Sequence, residues 1–222
     1  MEYLVTMTTR VPDGTPEQAV DDVRAREAAH SRDLAAAGHL LRLWRPPLRP
    51  GEWRTFGLFA AADDDELEKV LASMPLRIWR TDEVTPLAPH PNDPVLGDTG
   101  PAPAPGPPEF FTAFTLVIPA GTTDVAAQDA MAAETVRARE LAAGGHLLRL
   151  WRLPAGGAGR PGGTDGVGGA SALGGASALG LWRAGDTAEM ESIVRSLPLD
   201  PWLTTAITPL TTHPGDPVLA MS

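Results

Sequence analysis

At 222 residues the chain has room for one large domain or for two of about 100 residues each. It has no cysteine, which excludes disulfides, thiolate metal sites and cysteine nucleophiles. A formal net charge of -10 argues against nucleic acid and anionic membrane surfaces as partners, and no apolar run approaches the ~20 residues of a membrane span.

The first element is a strand, Tyr3 to Val11, β-rich and alternating. Thr15-Pro16-Glu17-Gln18 reads as a helix start, with Thr15 as N-cap and Gln18 at the capping-box position. The helix runs to about Ala37 and stops at Gly38. His39–Arg45 and Trp53–Phe59 are the next strands. Asp63 opens a second helix whose apolar face is Leu67, Val70, Leu71 and Met74. Ile78 to Leu87 is the fourth strand. The order is βαββαβ, the ferredoxin-like arrangement.

The chain then repeats itself. GHLLRLWR occurs at Gly38–Arg45 and again at Gly145–Arg152. The offset between copies is 107 residues through these strands, and 123 where HPNDPVL from His90 meets HPGDPVL from His213. The second copy reads as Phe111–Ile118, Asp124–Ala143, His146–Leu153, Ala176–Arg183, Asp186–Leu197 and Leu203–Leu210. Repeat 1 therefore covers residues 1–96 and repeat 2 residues 109–222, joined by a Pro/Gly linker over 97–108. A glycine-rich insertion at about 155–175 explains the change of offset, and Gly156–Gly169 is expected to be poorly ordered. The expected fold class is α+β. Two ferredoxin-like units pack their antiparallel sheets face to face as an intramolecular pseudo-dimer, with further self-association left open.

The chemistry lies on the long helices. Val20, Val23, Glu27, Ser31 and Leu34 form one stripe; Ala127, Ala130, Glu134, Ala138 and Leu141 form its copy. Each stripe puts a glutamate on the face that should meet the sheet. A buried carboxylate needs a partner or takes up a proton, and a raised pKa suits a general acid–base. The alternative is that each glutamate pairs with a sheet arginine and is structural. His30 follows Glu27 by one turn and has Arg137 as its counterpart. Arg42 with Trp44, and Arg149 with Trp151, share one strand face. Such pairs can hold a carboxylate or a flat ligand, or can be cation–π packing within the sheet.

Tyr3-x-Val5-x-Met7, Glu27, Leu43-Trp44-Arg45, Pro75-Leu76 and His90-Pro91 together resemble the muconolactone Δ-isomerase family. Copy two is similar through Glu134, Leu150-Trp151-Arg152, Leu197-Pro198-Leu199-x-Pro201-Trp202 and His213-Pro214. The resemblance implies a cofactor-free, metal-free enzyme that shifts a proton on an unsaturated lactone. Glu27 or Glu134 would be the base; His30, Arg42, Arg149, His39 and His146 would be donors to the dienolate. Trp44, Trp53, Trp151 and Arg137 complete the candidate pocket residues. The copies differ: Phe114 stands for Met7, Arg137 for His30, Ala176 for Trp53, and Pro201 for Ile78. On this reading the Glu27 pocket is the more active one. A cyclase or isomerase for a polyketide-like compound, and a non-catalytic small-molecule binder, are the competing expectations. MEYLVTMTTRV lacks the basic region and apolar core of a signal peptide, so a cytoplasmic protein is expected.

Overall fold

In a computed structural model the described residues are 1–95, 106–154, 160–161 and 177–220. Each repeat forms the expected βαββαβ unit. Repeat 1 contributes β1 (Glu2–Thr9), α1 (Glu17–Ala36), β2 (Leu40–Arg45), β3 (Arg54–Ala60), α2 (Asp64–Ser73) and β4 (Arg80–Pro89). Repeat 2 contributes β5 (Glu109–Leu116), α3 (Asp124–Ala143), β6 (Leu147–Arg152), β8 (Ala178–Arg183), α4 (Thr187–Arg195) and β9 (Leu203–Thr212). A two-residue strand, β7 (Arg160–Pro161), pairs with Glu83 and Val84. Apart from these two residues, the run expected to be poorly ordered lies outside the described residues, as do Ala176 and most of the linker.

The repeats of the sequence and the compact units of the fold are not the same segments. Unit 1 joins Met1–Leu87 to Arg160–Pro161 and to the C-terminal segment from Thr211, and unit 2 takes the other described residues from Ala88 to Leu210. In unit 1 the antiparallel order is β4-β1-β3-β2, and β2 gains the end of β9 through Trp44↔Thr212 and Arg45↔Thr211. In unit 2 the order is β9-β5-β8-β6, and β6 gains the end of β4 through Ala88↔Arg152 and Pro89↔Trp151. Each unit is thus completed by the tail of the other repeat.

The GHLLRLWR repeat has a structural reason at nearly every letter. Gly38 has φ +79, and Gly145 has φ +76, a left-handed conformation that glycine alone adopts without a Cβ penalty. Gly38 N–H donates to Ala35 O at 3.0 Å and His39 N–H to Leu34 O at 2.9 Å, the paired bonds of a Schellman stop. The second copy repeats both bonds on Ala142 and Leu141, at 3.0 and 2.8 Å. A bulge between Leu40 and Arg42 then puts Leu40 and Leu43 on the face covered by helices and Arg42 and Trp44 on the other. The helix-covered core of unit 1 gathers Tyr3, Val5, Met7, Leu34 and Phe59 with Leu67, Val70 and Leu71 of α2 and Met74 just after it.

Two sequence expectations need correction. Thr15 does not cap α1: its hydroxyl donates to Pro12 O at 2.7 Å, and Pro16, which occupies the N-cap, has no side-chain acceptor. In α3 the residue equivalent to Pro16 is Thr123, which accepts from Ala126 N–H and does cap the helix. Nor does Ile78 begin a strand. Pro75–Trp79 forms a 3₁₀ turn, Ile78 is 71% exposed, and β4 starts at Arg80. Asp63 and Asp186 do cap α2 and α4, each accepting at 2.8 Å from the N–H three residues on, Glu66 and Glu189 respectively.

Candidate active site

Glu27 lies where α1 packs on the 3₁₀ turn before β4. Its Oε2 accepts from Leu76 N–H at 2.8 Å, and its Oε1 lies 3.3 Å from Arg80 Nη1. Arg80 is itself gripped by Asp82: Nε is 2.6 Å from Oδ1 and Nη2 is 3.0 Å from Oδ2. Arg77 adds a second guanidinium on Asp82 and reaches Glu68 at 2.8 Å. The charge of Arg80 is therefore shared, and chiefly with Asp82. Burial raises the Glu27 pKa above the ordinary carboxylate value, against the lowering pull of the Leu76 N–H, Arg80 and His30. A sheet arginine does meet this glutamate, as the structural alternative requires, yet the net direction of its titration remains that of a desolvated acid.

His30 is brought to the same place. Its Nε2 is 2.7 Å from Ser73 Oγ, whose own hydroxyl donates to Val70 O at 2.6 Å. The serine has spent its proton, so His30 Nε2 carries the hydrogen of that contact. Trp53 sits at this end of the sheet too, with its carbonyl accepting from Thr9 N–H and its ring under Arg24 Cζ at 5.2 Å.

The sequence did not single out His213 as a site residue. Its backbone N–H donates to Leu43 O at 3.1 Å, and its Nδ1 accepts from Gly215 N–H at 3.0 Å, so its ring hydrogen is on Nε2. Burial, with the positive charges of Arg45 and Arg24, lowers its pKa to about 4. Arg24 and Arg45 thus make a cationic corner about a neutral His213 in unit 1. The signal was present in the repeated HPxDPVL tail, but not the fact that this tail closes a unit built from the other repeat.

Unit 2 keeps the acid and loses its surroundings. Glu134 Oε2 accepts from Leu199 N–H at 3.0 Å, the counterpart of the Leu76 contact. Leu203 stands in place of Arg80, Thr205 in place of Asp82, and Asp200 in place of Arg77. Burial raises the Glu134 pKa, and Asp200 raises it further. Arg137 holds Ser196 Oγ at 2.9 Å and Glu140 at 3.0 Å, so its candidacy as a substrate contact gives way to a helix-to-helix tie like that of His30. In the tail segment that unit 2 receives, burial and Arg152 lower the His90 pKa.

Four candidates belong to the opposite face of the sheet. Arg42 is 1% exposed; its Nε lies 3.1 and 3.0 Å from the two oxygens of Asp216, and its Cζ 4.7 Å from the Trp44 ring. Arg149 makes the same arrangement with Asp93 at 3.2–3.3 Å and with Trp151 at 4.8 Å. The carboxylate that each Arg–Trp pair holds is the protein's own. These pairs clamp the exchanged tails and do not face the helix-side glutamates. His39 and His146 are corrected likewise. Each puts Nδ1 3.1 Å from a backbone oxygen, that of Ala60 and Arg183 respectively, at the end of β3 or β8 remote from its glutamate. From Ala60 back to Arg54 is about 20 Å of strand.

Among the described residues no group of three or more His, Asp or Glu is placed to hold a metal ion, and no helix is long and apolar enough to cross a membrane. The fold and the site define a tandem ferredoxin-like α+β protein with one half-buried helix glutamate in each unit. A profile of the muconolactone delta-isomerase family matches residues 1–93 and 167–216, and the chain belongs to that family. The muconolactone delta-isomerase of Cupriavidus pinatubonensis is 36% identical over 92 residues, which is 41% of this chain and 97% of the relative. Muconolactone delta-isomerase 1 of Acinetobacter lwoffii is 34% identical over 92 residues, 41% of this chain and 93% of the relative. Over the full chain the fold is similar to solved structures of a different kind. A heme-binding protein from Thermus thermophilus superposes with TM-score 0.57 at 14% identity, covering 100% of this chain and 95% of that one. Chlorite dismutase from Candidatus Nitrospira defluvii gives 0.56 at 12% identity, covering 99% and 94%. At such identities the likeness is one of fold alone.

Proposed function

We propose that the chain is a cofactor-independent isomerase that moves a proton on an unsaturated lactone bearing a carboxylate, with Glu27 as the proton shuttle. The observation that carries this is the state of Glu27. It is a half-buried carboxylate clamped at Oε2 by a backbone N–H, with its pKa raised, in a chain whose family relatives are named as isomerases of muconolactone. Oε1 is the atom that takes the proton. The C–H bond at the ring carbon that the double bond links to the lactone carbonyl breaks, its electron pair spreads into a dienolate, and the proton goes to Glu27. The same carboxyl returns the proton to the carbon next to the carbonyl, so the double bond shifts and atoms and charge balance with no oxidant. Arg80, already fixed by Asp82, keeps Glu27 oriented and lies beside the negative charge as it develops. Arg24 and Arg45, whose charges help to keep His213 neutral, supply the positive field for the substrate carboxylate.

The test is Glu27→Gln, which keeps size and hydrogen bonding but removes the base. Turnover of muconolactone should fall by about 10²–10⁴-fold with the fold intact. Parent-rate turnover by a folded E27Q protein would remove the reading and leave Glu27 as a structural partner of Arg80.

A further inference from the structure

The helix-covered face of unit 2 presents one row from β9: Leu203, Thr205 and Ile207. Leu203 and Ile207 pack against the unit 2 core. Between them the Thr205 hydroxyl is buried and has no hydrogen-bond partner among the described residues. The corresponding row of unit 1 is Arg80, Asp82 and Val84, an ion pair where unit 2 has an aliphatic side chain and an unanswered hydroxyl. Leu203 occupies the position from which Arg80 reaches Glu27, while Glu134 keeps its backbone clamp from Leu199. The change extends to the rim, where Arg24 is replaced by Met131, 42% exposed. The remaining groups about Glu134 are Arg137, tied to Ser196 and Glu140, and Asp200, which disfavours a second negative charge.

We propose that unit 2 holds a second ligand site around Glu134 and Thr205, and that it takes an uncharged carbonyl compound. On binding, the Glu134 carboxylate takes up a proton and donates a hydrogen bond to the carbonyl oxygen, and the Thr205 hydroxyl pairs with a second polar atom of the ligand. An orphaned buried hydroxyl is costly in the empty protein and becomes an asset once a ligand answers it. A site that has lost Arg24 and Arg80, and whose Arg137 and Arg152 are engaged with Ser196, Glu140 and the Pro89 carbonyl, offers less counter-charge for a carboxylate, whereas a carboxyl that a ligand desolvates further favours a proton and then donates to a neutral oxygen. The two units thus select by charge: an anionic lactone in unit 1 and a neutral one in unit 2. The inference rests on reading the helix glutamates as ligand groups, as proposed for Glu27.

The experiment uses the full chain with Glu27→Gln, so that unit 1 chemistry is silent, and follows the methyl resonances of Leu203 and Ile207. The probes are 5-methyl-2(3H)-furanone, which is neutral, and muconolactone, which carries a carboxylate. The neutral lactone should shift both methyls saturably, and muconolactone should not displace it. Adding Glu134→Leu should weaken binding at least tenfold. Adding Thr205→Val, which fits the aliphatic row, should weaken it about 2- to 10-fold, the value of one hydrogen bond. Glu134→Gln keeps a donor and the side-chain size; it should retain binding and serves if the leucine variant does not fold. Unmoved methyls, undiminished binding in E27Q/E134L, loss of binding in folded E27Q/E134Q, or equal competition by muconolactone would each overturn the proposal. None of these outcomes bears on Glu27, whose reading stands or falls on turnover.

Discussion

Asp216→Ala should be among the most destabilising single changes on the surface-remote side of unit 1, although it touches neither glutamate. Asp216 and Arg42 have side chains 0% and 1% exposed, and the carboxylate meets Arg42 Nε through both oxygens at 3.1 and 3.0 Å. It also accepts from Val218 N–H at 3.3 Å, which shapes the tail that closes the unit. Removing the carboxylate takes from the buried guanidinium the group that meets its Nε, while the Trp44 face stays beside it. Breaking a buried pair from one side costs about 3–5 kcal/mol, and the residual cation–π contact returns about 1 kcal/mol at most sites of this kind. For a chain of this size each kcal/mol lowers Tm by about 2–4 °C, so a drop of about 4–16 °C is expected. Thermal and urea unfolding, followed by Trp fluorescence, measure it. Arg42→Met with Asp216→Leu together should cost clearly less than Asp216→Ala alone, because no charge is stranded. Asp93→Ala should behave in the same way against Arg149 in unit 2. A folded D216A protein within about 1 kcal/mol of the parent, or a double variant as damaged as the sum of its singles, would refute the clamp.

Other outcomes follow from single contacts. In unit 2 the indole of Trp182 donates to Thr112 Oγ1 at 2.7 Å, so Thr112→Val, isosteric but without the acceptor, should cost about 1–3 kcal/mol in urea unfolding. Leu71, 0% exposed on the apolar face of α2, should cost about 2–5 kcal/mol when cut to alanine, read from the same transitions. His213 has its folded pKa lowered from 6.5 to about 4, so the unfolded chain binds the extra proton first as pH falls. Stability from this group is complete above pH ~6.5 and is lost as pH drops toward about 4. Discounted for partial exposure it amounts to about 1–2 kcal/mol. His213→Gln should flatten that limb of the stability–pH curve, and an unchanged slope would show that the histidine is solvated and unperturbed.

The architecture was legible because local signals agree with one another. Glycine after a helix, aspartate before one, and alternation in the strands are properties of neighbouring residues, and they recur in both copies. What escaped depends on partners far away in sequence. The Arg–Trp pairs could be read as ligand-binding because their carboxylate lies 174 residues away for Arg42, in the tail of the other repeat. Face parity identified Arg42 with Trp44 correctly, but only the bulge after Leu40 decides which face turns toward the helices. Thr15 failed as a cap because the proline after it takes the N-cap position itself. Glu27 and Glu134 were found from helix spacing alone, since a stripe is a local pattern; their unlike surroundings come from β4 and β9.

The exchanged tails and the unlike glutamates are connected by one argument. An Arg–Asp pair buried on the face away from the helices ties each unit's closure to a segment of the other repeat, so both halves must be present for either to be complete. That requirement falls on Arg42, Arg149, Asp93 and Asp216, and both copies retain all of it. No such requirement falls on the row beside the helix glutamate, where Arg80 and Asp82 in one unit answer to Leu203 and Thr205 in the other. The fold is held by the face that stayed the same, which leaves the other face free to change its ligand chemistry. Divergence between the units is therefore expected to concentrate about Glu27 and Glu134, where the contacts differ, and to spare the GHLLRLWR strands, where they do not.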